Sequence, residues 1–413
     1  MRAGFRAAAG DVRFDPWRPQ VWTLTGIAAV LLGLITGLLL ALFIDRGTLA
    51  DYRYHVWRWE ADTLFSNVSA RIGLAPEPDM AAAEEAVQNY FRITSELRGA
   101  MDQTPADAAL VAALSNERGV YENDVERFIE GRIEDAVAAA GLQRSLPLFS
   151  EVRITWPPVD FELTTPPQLL VRSPRSEIKR DGDTLLKPGL TFEQVEQIEG
   201  RADDEDTVSI VVSIGGLAAY PAIVAANRTY DGLLDTTSHE WVHHYLAFYP
   251  LGQQWGKGGN AETLNETTAN IAGREIARLV REAQPVALNP DEDGRRPARA
   301  GATAVTIDFN KEMRELRLEV DSLLADGKVE EAEAEMSAKR QFFEDNGIFI
   351  RKLNQAYFAF YGTYADSAAS SNPVGPKIER VWELTGDVGR FLAVMRDVTN
   401  VEDLDEALAK LER

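Results

Sequence analysis

The amino-acid sequence predicts an α+β protein, mostly helical, that begins with one membrane-spanning helix. Three observations predict it. A long uncharged apolar run lies near the N-terminus, apolar residues recur every three or four positions at both ends of the remaining chain, and in a central stretch that spacing falls to two. With 45% hydrophobic and 26% charged residues over 413 positions, the composition is that of a folded chain and excludes wholesale disorder.

After a short tail, residues 1–20, the run from Val21 to Ile44 holds 24 residues without a charge. At about 1.5 Å per helical residue it exceeds the ~30 Å hydrocarbon core of a bilayer, so it reads as a transmembrane helix. A cleaved signal peptide would have an apolar region of only about 7 to 15 residues ending in small side chains. Here Phe43-Ile44-Asp45-Arg46 follows instead. Arg2, Arg6, Arg13 and Arg18 precede the run and Arg46, Arg53 and Arg58 follow it, a balance that slightly favours the N-terminus inside and the remainder of the chain on the extracytoplasmic side of the cell membrane. Gly33 and Gly37 form a small-xxx-small pair of a kind common in apolar stretches; monomer is the default, and the oligomeric state stays open.

Residues 45–145 form a helical membrane-proximal region. Ala83, Val87, Tyr90, Phe91 and Leu97 mark one apolar face, and Leu110, Leu114, Tyr121, Val125, Phe128, Ile133 and Val137 continue it, with Thr104-Pro105 opening the second stretch and Gly141 closing it. Residues 146–300 begin with strands around Val152–Trp156 and Val208–Ile214, punctuated by Pro-Pro, Asp-Gly and Gly-Gly, which together predict one small sheet. Residues 301–413 are helical: a charged hairpin over 311–345 turning at Asp326-Gly327, then helices around 349–364, 377–384 and 388–411.

The 43 Lys and Arg against 65 Asp and Glu leave a formal net charge of -22, so the surface repels phosphate backbones and nucleic acid is excluded as a partner. The chain has no cysteine, so a metal here must be held by histidine and carboxylate.

Three of the four histidines fall in Ser238-His239-Glu240-Trp241-Val242-His243-His244. An HExxH arises by chance about 0.003 times in a chain of this composition. On a helix the four-residue spacing brings His239 and His243 onto one face as ligands of a single Zn2+, with Glu240 beside them as general base. The competing structural reading is a capping box, Thr237-Ser238-His239-Glu240, at a helix start. His244 points about 100° away from His243 and reads as a packing residue. A catalytic zinc needs a third protein ligand, and a second helix after Gly252–Asn260 carries Glu262, Glu266 and Asn270 on one face. Glu266 is preferred over Glu262, with Asn270 one turn on as acceptor for the other ring N–H of a liganding histidine.

HEWVHH followed by Asn265-Glu266-Thr267-Thr268-Ala269-Asn270 resembles the gluzincin, thermolysin-like metallopeptidases, whose pattern is HExxH with a later NExxxD; here Asn270 stands where that pattern has Asp. Asn265–Gly273 and Leu353–Tyr364 also resemble a bacterial family of predicted membrane-associated aminopeptidases. The specific motif covers residues 239–270, and the weaker likeness runs from 205 to 400. The resemblance implies a zincin-like domain that hydrolyses peptide bonds in a peptide or protein substrate. It further implies that substrate lies along an edge strand before the HExxH helix, where Val208–Val224 stands with Gly215-Gly216 as edge or plain turn. A Tyr or His would stabilise the oxyanion. Tyr361 and Tyr364 are the candidates, against a role in the core, and His55 is a poor one. Two other classes remain: an interaction module in which zinc merely clips two helices, and a zinc-binding protein without turnover.

Overall fold

The computed structural model describes residues 49–69, 80–146, 149–257, 260–289, 292, 307–365 and 367–413. The apolar run 21–44 lies outside them, and among the described residues no helix is long and apolar enough to cross a membrane. The chain divides at Arg53/Tyr54, and the HExxH segment lies in the second unit, Tyr54–Arg413.

Four helices lead this second unit: α1 (Val56–Ser69), α2 (Met80–Met101), α3 (Ala108–Gly119) and α4 (Glu122–Ala139). The N-cap of α3 is Asp107, whose carboxylate accepts from the Ala109 and Leu110 amides, so the helix starts after Thr104-Pro105 rather than at it. Gly141 takes a φ of 71° just past α4, the left-handed stop expected of it.

Among the described residues the mixed region holds eight strands: β1 (Arg144–Leu146), β2 (Phe149–Ile154), β3 (Phe161–Thr164), β4 (Gln168–Pro174), β5 (Asp183–Leu186), β6 (Thr207–Ser213), β7 (Gly216–Leu217) and β8 (Ala222–Ala225). They form not the single sheet expected but three small ones, ordered β1-β2, β3-β8-β7 and β5-β4-β6. A helix unforeseen in this stretch, α5 (Phe192–Ala202), separates β5 from β6 and opens with a capping box between Thr191 and Gln194. Its Thr-x-x-Gln signature is legible in hindsight; the Gly and Pro punctuation on either side masked it.

The site-bearing helices follow, α6 (Tyr230–Leu246) and α7 (Ala261–Ala283). Thr229, accepting from the Gly232 amide, caps α6, so Glu240 sits mid-helix and the capping-box reading of residues 237–240 is overturned. The hairpin over 311–345 is present as α8 (Phe309–Ala325) and α9 (Val329–Asp345), with Gly327 at φ 75° in its turn. Then come α10 (Gln355–Tyr361), α11 (Val374–Thr385), α12 (Val388–Met395) and α13 (Val401–Leu411). The pattern over 349–364 shrinks to α10 because Asn354 caps it late, and that over 388–411 divides because Asn400 caps a new helix.

One apolar core joins α2, α4, β3, β8, α6, α7, α11 and α12, so segments from 45–145, 146–300 and 301–413 all contribute to it. A second fills the α8–α9 hairpin, and a third packs α10 against β4 and β6. The edge of β3 is covered in an unusual way. Glu126, Glu130 and Glu134 of α4 accept from the amides of Leu163, Phe161 and Val159 at 2.6, 3.0 and 3.3 Å. Four residues of helix rise about 6.0 Å and two of strand about 6.6 Å, so every fourth carboxylate meets every second amide.

Burial pushes the carboxyls of both Glu126 and Glu130 up to about 8, against which their backbone hydrogen bonds work only in part. Both groups are therefore protonated in the fold where the unfolded chain, at about 4.3, has already ionised. Between those values the folded state binds more protons, and stability falls as pH rises. Denaturant melts from pH 5 to 9 should show that decline, and Glu126→Gln with Glu130→Gln, neutral but still able to accept the amides, should flatten it.

Candidate metal centre

His239 and His243 stand one turn apart on α6, and α7 crosses it antiparallel with Glu266 facing them. The crossing is close because Gly273 has no side chain: a Cβ there would lie 2.8 Å from the His239 backbone nitrogen. The two histidine Nε2 atoms are 3.0 Å apart, and Glu266 Oε2 lies 3.3 Å from that of His239 and 3.7 Å from that of His243. Four ligands in a tetrahedron about 2.0–2.1 Å from an ion stand about 3.3–3.4 Å from one another, which these separations bracket. Glu266 Oε2 is buried with no hydrogen-bond partner of its own. A buried carboxylate oxygen aimed at two imidazole nitrogens and satisfied by none of them is the arrangement a cation would complete. His239, His243 and Glu266 thus form a group able to hold a metal ion. Glu262, on the first turn of α7, is outside that group.

Each group around the triad has a distinct electrostatic state. Burial alone would raise the Glu266 carboxyl, but the two imidazoles override it and hold it far below the usual carboxylate range. Burial works against a charged His239, yet the facing Glu266 carboxylate, the Glu240 charge and a hydrogen bond with Asn270 raise its pKa. Asn270 therefore stands where a partner orienting a liganding imidazole belongs. Glu240 is 6% exposed and has its pKa raised by burial, with both histidines pulling the other way. Its carboxylate lies flat on the edge strand β7, where a Cβ on Gly216 would come within 2.3 Å of Oε1.

Tyr364 comes just after α10, not within it, and its ring centroid is 6.5 Å from that of His239. Burial, then the charges of Glu266 and Glu240, raise its pKa well above the usual phenol value. The Ala365 amide, donating to Thr267 Oγ1 at 3.1 Å, pins this turn to α7 one residue from Glu266. Tyr361 packs instead on Tyr357 and Phe360, with ring centroids at 4.5 and 5.0 Å, and belongs to the apolar clusters. His244 accepts the packing role: its Nε2 is 2.7 Å from the Ala219 carbonyl, and burial lowers its pKa to about 4. His55 lies 6.0 Å from the Trp57 ring, ahead of α1.

No family model, curated protein or solved structure matches this chain. Its chemistry is read from these side chains. Two neighbours of the site were invisible in the sequence. Arg180, hydrogen-bonded to Asp183 at 2.6 Å, feels the charges of Glu266 and Tyr364, and Trp255, 47% exposed, sets its ring 5.3 Å from His243. Neither lies in a recognisable motif; only the fold brings 180 and 255 to residues 239–266.

Removing a ligand tests the triad directly. His243→Ala and Glu266→Ala should each abolish stoichiometric metal in the purified chain, while Glu262→Ala should retain it, as read by elemental analysis after exhaustive dialysis. Metal retained in Glu266→Ala would remove that residue from the ligand set.

Proposed function

We propose that the protein is a membrane-anchored, zinc-dependent peptidase, with His239, His243 and Glu266 holding the ion and Glu240 as general base. The observation that carries this is the position of Glu240: adjacent in sequence to the ligand His239, buried beside the triad, and lying on the glycine of an edge strand. Two imidazoles and a carboxylate suit a borderline ion in a four-coordinate site, and without thiolates zinc is the fitting choice. When bound, the ion supplies Lewis acidity toward a carbonyl and makes water more acidic.

The rest of the chemistry belongs to the chain. A substrate peptide adds to the free side of β7, whose other side pairs with β8. Glu240 takes the proton of the attacking water and passes it to the leaving amine nitrogen. Burial raises its pKa, which suits a group that must both accept and return a proton. Tyr364 keeps its phenolic proton and donates a hydrogen bond to the oxyanion that forms on the scissile carbonyl. Asn270 fixes the orientation of the His239 ring.

Glu240→Gln keeps the size of the side chain and removes the base. Hydrolysis of a peptide library by the full chain in detergent should fall by about 10² to 10⁴, with zinc content and melting temperature unchanged. A helix clip or zinc store predicts no hydrolysis to lose, and identical behaviour of wild type and variant would end the peptidase reading.

The uncharged run Val21–Ile44 supports anchoring, and the arginine balance supports a site outside the cytoplasm. Protease added to intact cells should digest the chain beyond residue 45. Digestion only after lysis would reverse the orientation.

A further inference from the structure

Gly215 and Gly216 carry two side chains across their bare backbone. Glu240 rests on Gly216, and a Cβ on Gly215 would lie 1.5 Å from a terminal guanidinium nitrogen of Arg228. The base and this cation thus lie against successive residues, about 3.8 Å apart along the chain entering the edge strand. Several arginines of this fold have carboxylate partners, Arg175 meeting Glu333 at 2.7 Å and Arg317 meeting Asp321 at 2.9 Å. Arg228 differs. Among the described residues its guanidinium makes no hydrogen bond or ion pair, and its Nε is buried without an acceptor. Burial lowers its pKa, partly offset by the charges of Glu240 and Asp235, and an arginine stays charged through such a shift. A partly buried cation held without a partner beside a general base is costly unless a ligand supplies the missing anion.

We propose that Arg228 is the carboxylate-recognition residue of this cleft, selecting peptides that carry a carboxylate within about one residue of the scissile bond. The proposal rests on the peptidase reading. The planar guanidinium fork accepts both oxygens of a carboxylate in two parallel hydrogen bonds, whether that carboxylate is the C-terminus or an Asp or Glu side chain. Selection has to be local, because the net charge of -22 opposes an acidic peptide at long range.

The full-length, zinc-loaded Glu240→Gln chain, immobilised from detergent, is offered pooled N-acetylated tetrapeptides. One pair of pools compares C-terminal acids with amides; a second, all amides, compares Asp- and Glu-containing peptides with their Asn and Gln counterparts. Carboxylate peptides should be enriched on the order of ten- to a hundredfold in one pair. The pair that responds identifies the source, the first marking an exopeptidase that reads the C-terminus and the second a side-chain preference. Adding Arg228→Gln should abolish the enrichment, and Arg228→Lys, which keeps the charge but loses the fork, should reduce it. Equal capture of acidic and neutral peptides, or a preference that survives Arg228→Gln, overturns the proposal while leaving the peptidase reading intact. A residue that only balances the charge of Glu240 would shift the pH profile of hydrolysis alike for every peptide and leave no preference to lose, which also overturns it. Capture of no pool overturns both.

Discussion

The antiparallel crossing of α6 and α7 is the contact on which the rest of the structure depends. Gly273 lets the helices approach until the His239 backbone occupies the place of a side chain, and small buried residues, Ser238, Thr267, Thr268 and Ala269, line the same seam. That closeness brings Glu266 to two imidazoles that a wider crossing would leave out of reach. It also has a cost: the hydroxyls of Thr237, Ser238 and Thr268 are buried without partners, each worth about 1–3 kcal/mol of lost hydration. Apolar neighbours such as Trp241, Leu264 and Ile276, all within the main core, offset it. Polar atoms left unsatisfied in an otherwise well-packed seam are the mark of a site in which stability gives way to function.

The three-stranded sheet beside this crossing has two edges treated in opposite ways. An exposed edge invites pairing with any extended chain, and folds close such edges when pairing is unwanted. The β3 edge is closed by the α4 glutamates, whose spacing along the helix matches the amide spacing along the strand. Among the described residues no side chain bonds the amides of β7, whose Gly216 carries Glu240. One edge is thus closed by carboxylates, and at the other the glycines let Glu240 and Arg228 lie close against the backbone.

Burial also sorts the ionisable groups by task. The same desolvation raises Glu126, Glu130 and Glu240 and would raise Glu266, yet Glu266 ends far below the ordinary range because two imidazoles face it. Glu240 and Glu266, buried on neighbouring helices, therefore differ through their neighbours alone. Tyr364 shows the same logic from the other side: buried, and faced by the charges of Glu266 and Glu240, it holds its proton.

By itself the sequence determined what local spacing can determine. The four-residue interval of His239 and His243 needs only a helix to align two imidazoles, and the helical phase of Glu262, Glu266 and Asn270 narrowed the remaining groups to one face. The mixed class, the α8–α9 hairpin and the stop at Gly141 were likewise legible, since each is written in a few consecutive residues. Only the tertiary structure decided between Glu262 and Glu266, because helix phase places both on one face and the crossing point selects which one meets the histidines. It alone separated Tyr364 from Tyr361, divided the expected sheet into three, and brought Arg180, Arg228 and Trp255 toward residues far from them in sequence. A glutamate ladder on α4 reads in sequence as a solvated face. It becomes buried acid only when a strand edge supplies amides at twice the residue interval, and no local pattern encodes where that edge will lie.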